Sequence, residues 1–162
     1  LLSDPKLPDR ILDTLKSREV APEQLKLEIT ERSVMEDVDL SMSVLSRIRL
    51  KEVDLSIDDF GTGSSSLVQL YRMPFGEIKI DKSFVMDMRK RREAEVIVNS
   101  IIQLGKSMEL TIVAEGVEDR ATLERLKSLG CDQAQGYFIS RPVSKTDFAE
   151  WLADYTPERL TQ

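Results

Sequence analysis

Residues 53–67 read VDLSIDDFGTGSSSL, and they set two adjacent carboxylates, Asp58 and Asp59, between an alternating apolar run and a Gly/Ser-rich turn. Val53, Leu55 and Ile57 alternate with polar residues, so the run predicts a short strand, with Gly61 and Gly63 permitting a tight turn after it. Both aspartates then stand at a strand's C-terminal end, where sheets with helical crossovers collect ligands and catalytic groups. Local turn chemistry is the competing reading, because Asp, Gly and Ser populate loops for reasons of their own.

The same pattern recurs along the chain. Glu28 lies on the polar side of LKLEIT, with Glu31 three residues later; Lys79 and Asp81 share one side of GEIKID; Glu115 and Glu118 follow LTIVA; Gln135 closes a fifth strand-like run. Each has a plain structural alternative: Glu31 and Glu118 could cap helices, Lys79 could be an ion-pair partner and Gln135 a surface amide. Taken together, carboxylates gathered at one mouth repel one another and raise one another's pKa unless cations sit among them. Oxygen-only ligands point to a hard divalent ion or a pair of them, Mg²⁺ or Mn²⁺ rather than Zn²⁺. Two such ions bridged by an aspartate suit in-line attack on a phosphodiester, with Lys79 as a fixed positive charge and Glu115 as a base.

The chain contains no histidine, which removes histidine general bases, His-containing triads and H-E-x-x-H metal sites. The DFG at 59–61 matches a kinase Mg²⁺ motif, but a kinase also needs an H-R-D loop that a histidine-free chain lacks. A formal charge of −6 argues against binding DNA or anionic lipid over a broad surface, and the basic run RKRRE at 89–93 reads as a solvated face. No apolar run approaches the roughly 20 residues of a membrane span. The single cysteine, Cys131, excludes an internal disulfide and suits a cytoplasmic protein, with Cys131 itself a small buried hydrophobe.

The elements that must position these groups alternate in type. Strand-like runs fall at 25–30, 53–57, 76–80, 110–114 and about 132–136, with helical patterns at 38–50, 92–108, 119–129 and 145–155 and an entry helix carrying Leu7, Ile11, Leu12 and Leu15. Such alternation predicts an α/β chain of parallel βαβ units in a single domain over 1–162, forming an open sheet or part of a barrel.

In order and spacing, LEITE at 27–31, DDFGTGSSSL at 58–67, EIKIDKSFV at 77–85, VAEGVE at 113–118 and QGYFISRP at 135–142 resemble the EAL-type phosphodiesterases, which hydrolyse cyclic di-GMP. The resemblance implies a TIM-like (β/α)8 barrel, incomplete here because its first strands are missing. It also implies Mg²⁺ or Mn²⁺, two ions, and the linear product pGpG. By resemblance, Glu28 corresponds to a metal-binding glutamate, Asp58 to the aspartate bridging both metals and Asp59 to its neighbour on the second. Lys79 corresponds to the lysine that positions the attacking water, with Asp81 nearby, and Glu115 to the general base or metal ligand. Glu31 and Glu118 correspond to site-supporting glutamates and Gln135 to a polar lining group. The loop of Phe60, Gly61, Thr62, Gly63 and Ser64 would link metal coordination to dimer contacts.

Two features depart from the family pattern. Ser64 stands where the family usually has tyrosine, and neither the Glu-Ala-Leu motif nor the asparagine of the next strand motif occurs. The expectation is therefore an enzyme in the parent domain, with 1–162 alone weakly active or inactive, its apolar interior and sheet edges exposed, pairing as a homodimer or with the missing segment. A regulatory or diguanylate cyclase domain and a membrane tether are compatible with the parent, while this segment itself makes no membrane contact. The alternative class is a receptor module of EAL type that binds cyclic di-GMP without cutting it.

Overall fold

The computed structural model describes residues 2–63 and 67–156. Its centre is a parallel sheet of five strands: β1 (Lys26–Thr30), β2 (Asp54–Phe60), β3 (Glu77–Ile80), β4 (Thr111–Ala114) and β5 (Gln133–Ala134), hydrogen-bonded in sequence order. Each strand thus lies beside its predecessor, and right-handed crossovers place every connecting helix on the same face. A sheet wound in one direction with one helical layer is an arc of a β/α barrel, with β1 and β5 as its two edges.

Among the described residues eight α-helices accompany the strands: α1 (Leu7–Ser17), α2 (Glu31–Met35), α3 (Val38–Arg49), α4 (Leu67–Arg72), α5 (Lys82–Asp87), α6 (Arg92–Ser107), α7 (Arg120–Leu129) and α8 (Lys145–Asp154). The long ones begin and end where local chemistry directs. The Asp37 carboxylate accepts from the Leu40 N–H at 3.0 Å to start α3, Asp119 accepts from Thr122 at 2.8 Å to start α7, and Gly130 ends α7 at a φ of 82°. All five predicted strands and all the predicted helices form. The short α2, α4 and α5 are additional: α2 follows β1 directly with Thr30 as its cap, and α5 follows β3 with Asp81 as its cap.

Alternation along the strands sorts the two faces of the sheet. Leu55, Ile57, Ile78, Ile80, Ile112 and Ala114 point to the helices and are buried against Val44, Leu45, Ile48, Val98, Ile102 and Leu126. The opposite, concave face carries Lys26, Glu28, Ser56, Asp58, Glu77, Lys79 and Val113. The expectation of an exposed apolar interior is corrected here, because this inner face is mostly ionic and hydroxylic and closes on itself through ion pairs.

Candidate active site

The two aspartates share one face because the strand is irregular there. Opposite β3, Ile57 pairs with Ile78 and Phe60 with Ile80, so Asp58 and Asp59 together oppose the single residue Lys79. This is a bulge, and it takes Asp59 to a φ of 54°, a left-handed conformation that Asp tolerates better than most residues. In an unbroken strand Asp59 would point at the helices. With the extra residue, both carboxylates reach the mouth while Phe60 returns to the buried face. The Asp59 N–H donates to Asp58 Oδ1 at 3.1 Å.

Lys79 stands at the centre. Its side chain is 5% exposed and its ammonium lies 2.7 Å from Glu115 Oε1, 2.8 Å from Glu28 Oε2 and 3.4 Å from Asp58 Oδ1. Burial works against the charge, yet hydrogen bonds to Glu115 and Glu28 outweigh it and hold the lysine above its ordinary pKa, firmly protonated. Burial, followed by the nearby Asp58 and Asp81 carboxylates, pushes the Asp59 carboxyl upward. Asp58, Asp59 and Glu115 each offer an oxygen, and these oxygens lie within 4.8 Å of one another.

This donor set fits a hard divalent cation: oxygens only, convergent, and in charge excess, since Glu28, Asp58, Asp59 and Glu115 outnumber the one ammonium they surround. The structure brings together Glu28, Asp58, Asp59, Lys79 and Glu115, from four different strands or their ends.

The remaining predicted residues form a surround. Glu31, 2% exposed at the start of α2, accepts through Oε2 from the N–H groups of Gly61 at 3.0 Å and Gly63 at 3.3 Å, so the first residue after β1 ties down the loop after β2. A Cβ on Gly63 would meet Glu31 Oε1 at 2.6 Å, so any side chain there displaces the Glu31 carboxylate. Phe60 is buried beneath this loop, the Thr62 hydroxyl donates to the Asp59 carbonyl at 2.8 Å, and Ser64 lies outside the described residues. Asp81 accepts from the Ser83 N–H at 3.0 Å and faces Asp59. Glu118 and Gln135 are exposed and line, with Glu115, Gly116 and Tyr137, a groove of about 440 Å³ leading from the site. Sequence reasoning passed over Lys26, Ser56 and Glu77. Their signal was position: each stands two residues before a site residue on the same side of its strand.

An arc of parallel strands with carboxylates and a buried lysine at their C-terminal ends defines a protein of the β/α-barrel class. The chain belongs to the EAL domain family, whose model matches residues 1–142. It is 42% identical over 137 residues to the bifunctional diguanylate cyclase/cyclic di-GMP phosphodiesterase MucR of Pseudomonas aeruginosa, a match covering 85% of this chain and 20% of that protein. Among solved structures it is similar to the PaMucR phosphodiesterase in complex with c-di-GMP, at a TM-score of 0.88 and 39% identity over 91% of this chain and 60% of that one. A manganese/cyclic di-GMP complex of Klebsiella pneumoniae BlrP1 matches at a TM-score of 0.79 and 34% identity, covering 86% of this chain and 36% of that one. The chain spans about a fifth of the length of the curated relatives it matches, 18% of one and 20% of another.

Proposed function

We propose that this segment is the larger part of a cyclic di-GMP phosphodiesterase domain that opens the cyclic dinucleotide to linear pGpG. The observation that carries the reading is the Lys79 ammonium seated among Glu28, Asp58 and Glu115, beside the converging oxygens of Asp58, Asp59 and Glu115. Glu28, Asp58, Asp59 and Glu115 would hold Mg²⁺ or Mn²⁺, two ions, which when bound supply a more acidic water and charge neutralisation at the phosphate. Glu115 accepts the proton of the attacking water. Lys79, fixed between two carboxylates, orients that water and balances charge as its oxygen bonds to phosphorus and the ester oxygen leaves.

Glu31 holds the 60–63 loop in register, and Asp81, Glu118 and Gln135 complete the lining. The chain covers 60% of the MucR phosphodiesterase structure, so full turnover belongs to the parent domain, and 1–162 alone is weakly active or inactive. It pairs with the rest of that domain or as a homodimer, since β1 and β5 present open edges. MucR is bifunctional by name, so a diguanylate cyclase or other regulatory domain is a natural companion in the parent. Among the described residues no helix is long and apolar enough to cross a membrane. We place the segment in the cytoplasm, where a second-messenger enzyme meets its substrate.

The test incubates the full-length protein and residues 1–162 with cyclic di-GMP and Mn²⁺ or Mg²⁺, with and without chelator, and resolves pGpG by chromatography. Metal-dependent turnover by the full-length protein supports the reading. Tight binding without cleavage would make the domain a receptor instead.

A further inference from the structure

Two ion pairs cross the concave face from β1 to β3, and they run in opposite senses. Glu28 on β1 meets Lys79 on β3 at 2.8 Å, and Lys26 on β1 meets Glu77 on β3 at 2.5 Å. Both pass over β2, where Ser56 stands in register with Glu28 on one side and Glu77 on the other. Ser56 is wholly buried, and its hydroxyl has no hydrogen-bond partner among the described residues, so this small side chain supports neither bridge by bonding.

Glu77 sits two residues before Lys79 on the same side of β3, and its side chain is 5% exposed. A buried carboxylate left without a partner draws in whatever cation it can reach. The nearest alternative along its own strand is the Lys79 ammonium, which the site needs at Glu28, Asp58 and Glu115. Lys26, with its side chain 41% exposed, spans the sheet to occupy Glu77.

We infer that Lys26 is a positioning residue for the phosphodiesterase site: by neutralising Glu77 it removes the carboxylate that would otherwise compete for Lys79. The inference rests on the reading of the site given above. The two members of the pair are therefore unequal. Losing Glu77 leaves Lys26 free to turn to solvent, whereas losing Lys26 leaves a buried negative charge beside Lys79.

The test compares Lys26→Met, Glu77→Gln and the double variant in the full-length protein, by turnover and by the ¹H–¹⁵N signals of the lysine ammonium groups. Lys26→Met is expected to lower kcat by about tenfold or more, as displaced catalytic groups do, and to shift the Lys79 ammonium signal. Glu77→Gln keeps both near the wild type, and adding Glu77→Gln to Lys26→Met restores them. Lys26→Arg, which keeps the charge, retains turnover and the signal, and it stands in should Lys26→Met fail to fold alone. A double variant as impaired as Lys26→Met, or a Lys26→Met protein with an unmoved Lys79 signal, overturns the inference. Should the wild type show no turnover of cyclic di-GMP, the functional reading falls while the ammonium signals still decide whether Lys26 shields Lys79.

Discussion

The Lys79 ammonium on β3 and the Glu115 carboxylate just past the end of β4 lie 2.7 Å apart, the shortest of three contacts by which one buried cation holds three acids at the barrel mouth. The contact gives the site its geometry. It also makes Lys79 the residue whose loss is felt in both folding and chemistry.

Replacing Lys79 by Met leaves Glu28, Asp58 and Glu115 facing one another without the central charge. Breaking a buried ion pair from one side costs about 3 kcal/mol or more, and the loss should appear as a lower midpoint in urea. Turnover should fall by about a hundredfold or more, in line with removal of a preorganised charge. Added Mn²⁺ should recover more stability in the variant than in the wild type, because the carboxylates then have no other cation.

Gly63→Ala places a methyl group 2.6 Å from Glu31 Oε1 and forces the loop off its anchor. The expected cost is about 1.5–3 kcal/mol, the range for losing one hydrogen bond to a charged group, with kcat reduced. Pairing it with Glu31→Ala should give less than the sum of the two single effects, since both act on one contact.

Asp119 tests the helix cap and its pH dependence together. The Thr122 backbone N–H, with the Arg89 guanidinium 3.1 Å away, holds the Asp119 carboxyl below its usual range. A lowered folded pKa stabilises above the unfolded value and loses that contribution as pH falls through the folded one. Asp119→Ala should therefore cost about 1 kcal/mol at neutral pH, the typical worth of a cap. The gap between variant and wild type should close as pH drops below about 4; a gap that persisted in acid would contradict the cap's ionic character.

Ser56→Ala removes a buried hydroxyl that has no partner among the described residues, so it should be neutral or stabilising by up to about 1 kcal/mol. Ser56→Leu should do the reverse, because its bulk would stand between the bridges that cross β2. A thermal melt of each, with kcat alongside, separates the two.

Much of the sheet could be read from the chain because its strands alternate in hydropathy and its long helices repeat their apolar residues over several turns. The acids at the strand ends were legible for the same reason, as a polar residue beside Ile29, Ile57, Ile80 and Ala114 marks the point where each strand leaves the core. Asp59 was only half legible: strict alternation sends it to the helical face, and the bulge that redirects it depends on pairing with β3, which no single segment records. Helix α4 escaped because six residues, LVQLYR, are too few to establish a period. Lys26 and Glu77 were passed over, for a salt bridge across 51 residues is invisible until β1 and β3 flank β2.

The strand order has a consequence for how the chain is made. Each strand pairs with the one synthesised just before it, so every addition to the sheet closes only the single helical crossover between them. The nascent chain can therefore dock its βα units one after another as they leave the ribosome. Glu28 and Lys26 wait through β2 and find their partners together, on the single strand that brings both Lys79 and Glu77.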